Sequence, residues 1–270
     1  NSRVFIVSDT QKFDQINLSI NDISTYQTDK YWIAEGSKGL RSIQRKGSNS
    51  FEALNEPIIL DGPYSNSAFD IVCKNDKVYM IIGGKDLLNG KRFDKGGYIL
   101  TYDYDKWSFI DPKEAQKKLN LPRNPRDYTS IAVTTDDSND EIVYASSMGD
   151  GVIQYKNGTP VQSYNEKNAF KETAGGYGSG YCYIDGLAFD KNGNLWMTSS
   201  EVNHAVLVLD KAGAWHRLDI EQLRGVYTIN DILITSTNDK WIYVPRNTPK
   251  LVMIPNSESL DEVSSYEFTT

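Results

Sequence analysis

Four aspartates and one serine recur at the head of short apolar runs: Asp22, Asp70, Ser130, Asp185 and Asp231. They lie 48, 60, 55 and 46 residues apart. Four carboxylates brought to one place would repel one another, which raises some of their pKa values or holds a cation between them. The alternative is that each carboxylate accepts backbone N–H groups and pins a turn of its own module, a common use of Asp. A cation at Asp22, Asp70, Asp185 and Asp231 is therefore a secondary expectation, and no dedicated metal ligand set is read.

Other catalytic groups are sparse. The two histidines, His204 and His216, fall in a turn and on an outer strand of one module, where they do not converge as a metal pair must. Serines are abundant, but no nucleophile-elbow sequence surrounds any of them. The acidic run Asp136-Asp137-Ser138-Asn139-Asp140-Glu141 lacks the glycine and the spaced terminal Glu of a calcium loop and reads as a solvated turn. The glycines of Ala174 to Tyr181 are followed by a strand instead of a helix, so they do not form a phosphate cradle. No catalytic residue and no cofactor is assigned. Exposed ligand contacts are expected at Tyr177, Tyr181, Asn203, His204, Arg246 and Asn247.

The acids imply the elements that place them. Tyr183 to Ser200 alternates through Ile184, Leu187 and Phe189, turns at Asp190-Lys191-Asn192-Gly193 and returns through Leu195-Trp196-Met197-Thr198, which is a β-hairpin. The same hairpin recurs after Asp22, Asp70, Ser130 and Asp231, each time with an aromatic at the start of the return strand or one residue beyond it. A third strand follows each copy (at Gly39, Gly97, Gly151, Ala205 and Lys250), then a short, half-polar fourth (near Phe51, Trp107, Val161, Trp215 and Tyr266). Repeats of roughly 40–50 residues carrying four strands are the signature of propeller blades.

The expected fold is all-β: a propeller of four-stranded antiparallel blades, about five and a half of them visible, in a ring either partial or closed by the N-terminal strands. The modules fall near 1–20, 21–60, 65–111, 127–166, 183–220 and 228–270, within one domain or a fragment of one. The first strand of a blade is innermost, so the five repeated positions should line a central channel. Trp32, Trp196 and Trp241, at the repeated aromatic position, are expected mostly in the core. Residues 1–20 read as a third and fourth strand only, so the chain is expected to begin inside a blade. The Gly83–Gly97 insertion reads as an exposed loop, Glu166–Tyr183 as a mobile surface loop, and Pro112–Leu119 as one or two helical turns capped by Asp111 and stopped by Pro122 and Pro125.

Bulk properties narrow the function. The composition is 39% hydrophobic and 11% aromatic, with 17 Tyr and 5 Trp, which suits β-structure with a large core. A net charge of −7 argues against nucleic-acid and anionic-membrane partners, since both reward clustered Lys and Arg. No run is long and apolar enough for a membrane helix. Cys73 and Cys182 sit at different places in their modules and read as two buried thiols.

Three stretches carry a resemblance: Asp61-Gly62-Pro63-Tyr64-Ser65-Asn66-Ser67; Met148-Gly149-Asp150-Gly151-Val152 with Tyr155-Lys156-Asn157-Gly158; and Asp185 to Asp190 with Gly193-Asn194-Leu195-Trp196. They resemble Bacteroidetes surface propellers, the PorZ family of the type IX secretion system above all, and are similar to the sensor propellers of hybrid two-component regulators. The resemblance implies an exported, non-enzymatic binding or scaffold module at the cell surface or in the periplasm of a Gram-negative bacterium. Its implied partners are a sortase-like surface protein, a polysaccharide such as lipopolysaccharide, or both. A periplasmic ligand-sensing propeller is the alternative implied function, and a propeller polysaccharide lyase or glycosidase is a more distant one. Members of the PorZ family carry two propellers and a sorting domain, so a chain of this length corresponds to a fragment or a shortened relative.

Overall fold

The computed structural model describes residues 4–8, 12–16, 22–35, 39–59, 61–103, 106–175, 178, 180–260 and 263–269. The chain is an all-β propeller protein of four-stranded antiparallel blades. It divides into two compact units, Asn1–Gly62 and Pro63–Thr270.

The first unit contains the antiparallel hairpin β1 (Val4–Ser8) and β2 (Lys12–Ile16), and one blade made of β3 (Asp22–Gln27), β4 (Lys30–Ala34), β5 (Leu40–Gly47) and β6 (Ser50–Ala53) in sequential order. Tyr31, Ile33 and Ile43 form its small core, with Ile23 and Phe51 packed against them. Alternation explains the set: Tyr31 and Ile33 leave one face of β4, and Trp32 is only half-buried on the other.

The second unit contains four blades in series. They are β7 (Ala68–Lys74), β8 (Lys77–Ile82), β9 (Ile99–Tyr102) and β10 (Trp107–Ile110); β11 (Tyr128–Thr135), β12 (Glu141–Gly149), β13 (Gly151–Lys156) and β14 (Thr159–Tyr164); β15 (Cys182–Phe189), β16 (Leu195–Ser199), β17 (Val206–Leu209) and β18 (Trp215–Leu218); and β19 (Ile232–Ile234), β20 (Lys240–Val244), β21 (Lys250–Ile254) and β22 (Tyr266–Thr269). Neighbouring strands pair antiparallel in chain order within each blade, the hairpin physics of a meander. Among the described residues, one pairing of named strands crosses a blade boundary: the end of β12 pairs with the start of β15, Met148 opposite Tyr183 and Gly149 opposite Cys182, and Asp150 adds an isolated bridge to Cys182.

The core lies between blades. Along β12, Ile142 and Tyr144 pack toward the β15–β18 blade, and Val143 and Ala145 toward the β7–β10 blade. Along β16, Leu195 and Met197 face one neighbour and Trp196 the other. Strands buried on both faces read as continuous apolar runs, whereas outer strands such as β6 and β22 leave half or all of their side chains in water. Trp196 is 1% exposed, and its indole N–H donates to Asp190 Oδ2 at 2.9 Å. Asp190 Oδ1 accepts from the N–H groups of Asn192 and Asn194, both at 2.9 Å, so a single carboxylate holds the turn and seats the tryptophan. Trp241 is half-buried and stacks on Phe268 with ring centroids 5.3 Å apart.

Helix α1 (Pro112–Leu119) begins as the sequence indicates: Asp111 accepts from the Lys113 N–H at 2.9 Å and proline occupies the first turn. It ends earlier than the prolines require. Asn120 takes the left-handed conformation at φ 52° and its N–H returns to the Gln116 carbonyl, which closes the helix before Pro122.

Three further expectations are corrected. Cys73 is exposed and only Cys182 is buried, because Cys73 points outward near the end of β7. The Gly83–Gly97 insertion is not simply an exposed loop: Gly83, Gly84, Lys85 and Gly97 are buried at its two ends. The segment from Glu166 to Tyr183 is held by Ala169, Phe170 and Ala174, all buried against the third and fourth strand sets, so it is largely packed.

Candidate functional site

The site is built on the inner strands of the second unit. Asp70, at the inner end of β7, takes the N–H of Ile71 on Oδ1 at 2.8 Å. Its Oδ2 takes the Ser130 hydroxyl at 3.1 Å and the Ile131 N–H at 3.0 Å. The Ser130 oxygen in turn accepts from the Leu187 N–H at 3.2 Å. An acid on one blade, a hydroxyl on the next and a backbone amide on a third are thus joined in a line. Thr129 donates to the Ile184 carbonyl at 2.5 Å, and Ser146 bridges the Ser130 and Asp185 carbonyls at 3.3 Å each. Gly186 lets the inner strands of the last two blades meet: a Cβ there would stand 2.7 Å from the Ile232 nitrogen.

Asp231 accepts the Ile232 N–H at 2.8 Å, and in the first unit Asp22 accepts the Ile23 N–H at 2.8 Å. Protein atoms crowding Asp231 push its carboxyl above the usual range and the charge of Asp70 adds to that, although part of the residue remains open to solvent. Asp231 lines a shallow recess of about 400 Å³ with Leu233, Thr235, Trp241, Tyr243 and Leu251.

Asp185 is different. It is fully buried and ion-paired with Lys85, itself 1% exposed. Lys85 also donates to the Ile229 carbonyl at 3.0 Å and stands 5.0 Å from the centre of the Tyr183 ring. The second Asp185 oxygen takes the Ser200 hydroxyl at 2.5 Å, and Ser200 accepts from the Ile229 N–H at 2.8 Å. Burial pushes the Asp185 carboxyl up to about 6, against the opposing pull of Lys85, Ser200 and Tyr183. The charge nearest this acid is therefore an ammonium of the chain itself, delivered from another blade 100 residues earlier. Among the described residues, no three His, Cys, Asp or Glu side chains are grouped to hold a metal ion.

The backbone makes this reach feasible. Gly83 has φ +141° and a Cβ there would lie 2.2 Å from the Tyr128 nitrogen; a Cβ on Gly84 would enter the Phe69 ring. Only glycines let the strand end pass so close beneath its neighbours. Sequence reading passed over Lys85, and the available signal was its place directly after this glycine pair at the end of an apolar strand.

The remaining expected contacts fall in separate places. Tyr181, expected to be exposed, is only 8% so, because its ring packs against Gly149. It borders a cleft of about 390 Å³ with Arg123, Asp150, Glu166 and Lys167. His204 Nδ1 pairs with Glu172, whose second oxygen takes the Asn203 N–H at 2.7 Å. Burial pushes Glu172 up, but the two partners on this clamp outweigh it and hold the carboxyl below its usual range. His216 pairs elsewhere, with Asp210 at 3.1 Å. Arg246 and Asn247 stand in the turn between β20 and β21. Tyr177 lies outside the described residues.

A cleft of about 780 Å³ opens between the β7–β10 and β11–β14 blades, with Tyr79 and Glu141 in its wall. The Tyr79 hydroxyl donates to Glu141 at 2.5 Å and Lys77 reaches the same oxygen at 3.0 Å. Burial, followed by the contact with Glu141, raises the Tyr79 pKa, so this phenol is a hydrogen-bond donor and a poor base at neutral pH. In the Asp136–Glu141 turn, Lys156 reaches both Asp136 and Asp140 at 2.7 Å, and Asp136 accepts the N–H groups of Ser138 and Asp140.

Sequential four-stranded blades, with the inner strands of the second unit touching one another, define the protein as a β-propeller. Among solved structures it is similar to PorZ, described as an essential bacterial surface component of the type-IX secretion system of Porphyromonas gingivalis, with a TM-score of 0.68 at 19% identity. The match covers 98% of this chain and 35% of PorZ, so the chain spans about a third of that protein's length. The extracellular domain of the hybrid two-component system BT3049 from B. thetaiotaomicron matches at TM-score 0.46 and 16% identity, over 93% of this chain and 28% of that one. An ancestral GH74 enzyme matches at 0.48 and 14%, over 99% and 36%. No protein-family model and no curated protein matches the chain.

Proposed function

We propose that this chain is a non-catalytic binding module of an exported protein, a PorZ-like component of the bacterial surface with a glycan such as lipopolysaccharide, or a surface protein of the sortase-like kind, as its ligand. The observation that carries the reading is the Lys85–Asp185 pair closed over the inner strands. A glycosidase on this scaffold needs two carboxyl groups facing the scissile bond, free to donate and accept protons. Here the inner acids are committed instead: Asp185 to Lys85 and Ser200, Asp70 to Ser130 and Ile131, Asp231 to Ile232. Such commitments rigidify a scaffold and leave recognition to the loops at the blade ends, where Tyr227, Asn203 and Asn247 are exposed. The sequence motifs shared with the PorZ family support the exported, surface setting.

The test is paired. Immobilised chain is challenged with purified lipopolysaccharide and with a soluble panel of neutral and acidic polysaccharides, and each mixture is assayed for new reducing ends. Saturable retention of at least one glycan without new ends is expected. New ends that scale with protein concentration would overturn the non-catalytic reading, and failure to retain any glycan would overturn glycan recognition.

A further inference from the structure

Arg246 follows β20, and its guanidinium stands over the ring of Tyr227, the central carbon 5.3 Å from the ring centre. That contact holds the guanidinium beside the ring. Its Nη1 is shielded from solvent, and among the described residues no acceptor bonds it. The hydroxyl of Thr228, on a residue only 2% exposed, is likewise buried without a partner. Both atoms lie beside Gly90. A Cβ on Gly90 would lie 2.8 Å from Arg246 Nη1, 3.6 Å from Thr228 Oγ1 and 3.8 Å from a Tyr227 ring carbon.

Two segments, at 227–228 and 246, therefore bring a cation, a hydroxyl and an aromatic ring together beside Gly90. Buried polar groups are nearly always satisfied, and an unsatisfied charged donor is the costliest exception, so the arrangement calls for an acceptor from outside the chain. The acceptor must be anionic and planar enough to take a guanidinium fork. One guanidinium balances one charge, whereas a phosphate monoester carries about 1.5–2 negative charges at neutral pH. The chain's own charge of −7 adds to the penalty on a dianion. Tyr227 is 44% exposed and offers an apolar wall of the kind sugar rings stack on, and the adjacent Asn247 is exposed as a polar contact for hydroxyls.

We propose that Arg246, Thr228 and Tyr227 form a subsite for the carboxylate of an acidic sugar, a uronate. This deepens and rests on the reading of the chain as a glycan-binding module. Arg246 as a whole is only half-buried. A carboxylate arriving over Tyr227 meets the guanidinium's open edge, and rotation about the last side-chain bond turns Nη1 onto it.

The test titrates the whole 270-residue chain with a galacturonate trimer, the matching neutral galactose trimer, sodium acetate and inorganic phosphate, read by calorimetry and tyrosine fluorescence. The galacturonate trimer should bind at least about tenfold more tightly than the neutral trimer, the scale of a charge-assisted hydrogen-bond pair. Arg246→Met should abolish that preference, Arg246→Lys should fail to restore it, and Thr228→Val should weaken it less. The unliganded melting temperature of Arg246→Met should equal or exceed that of the parent, since the loss of the contact over Tyr227 is offset by removing a buried donor that has no acceptor. Equal affinity for the two trimers, an unaltered preference in Arg246→Met, or phosphate or acetate binding as tightly as galacturonate overturns the subsite. Retention of neutral glycans with no acid preference would sink the subsite and leave the binding module standing. Galacturonate binding at Arg246 with no polysaccharide retained would do the reverse.

Discussion

Removing Lys85 while leaving Asp185 in place strands a carboxylate where no water reaches, and breaking a buried pair in this way costs about 3–5 kcal/mol. Replacing both partners by apolar groups of similar size costs far less, because the desolvation of two ions is recovered. Urea denaturation of Asp185→Asn, Lys85→Met and the double variant is expected to show its largest loss in Lys85→Met and a double variant more stable than that single one. Additive losses would mean that the two side chains act independently. The pH dependence has a definite sign. A carboxyl held at about 6 in the folded chain and 3.8 outside it binds its proton more tightly when folded, so its contribution is greatest below about pH 4 and declines as pH rises to about 6. The stability advantage of the parent over the double variant should therefore shrink across that interval. Half-buried carboxyls held below their usual range, such as Asp136 and Asp140 beside Lys156, act in the opposite direction and lose their contribution on acidification.

The strands themselves depend on turn chemistry and two-sided burial. Asp190→Ala would remove the acceptor of two backbone N–H groups and of the Trp196 indole, leaving a buried donor unpaired, and should cost about 1–3 kcal/mol in thermal or urea unfolding. Asp111→Ala should cost about 1 kcal/mol, the usual worth of a helix cap, and lower the helical signal of α1. Amide exchange should be slowest in β12, β15 and β16, which are buried on both faces, and fastest in β6 and β22. These elements were legible in the sequence, because a hairpin with an acid, a polar turn and a returning aromatic writes its period plainly. The links between blades were not. Lys85 and Asp185 are 100 residues apart, and nothing local in an insertion of glycines and mixed charges says that one lysine turns inward. The helix bounds, Pro112–Leu119, were legible too, although the residue that closes the helix is Asn120 in the left-handed conformation and not the conspicuous prolines beyond it.

At the scale of the molecule, repetition has two consequences. It places equivalent residues together, so Asp70, Ser130 and Asp185 meet along the inner strands although each heads a different blade. It also lets equivalent residues diverge in role: one acid links to a neighbour's hydroxyl, one is neutralised by a lysine, and Asp231 holds only its own turn at the edge of an open recess. Such a scaffold is packed and hydrogen-bonded along its inner strands. The seam between β12 and β15 carries a separate implication. Since Met148 and Gly149 are hydrogen-bonded into the following blade, the blades at residues 128–164 and 182–218 make one continuous sheet and should melt as a single cooperative block. Under force applied along the chain, they should yield in one long extension event instead of two short ones, and a nick in the connecting segment should leave them joined.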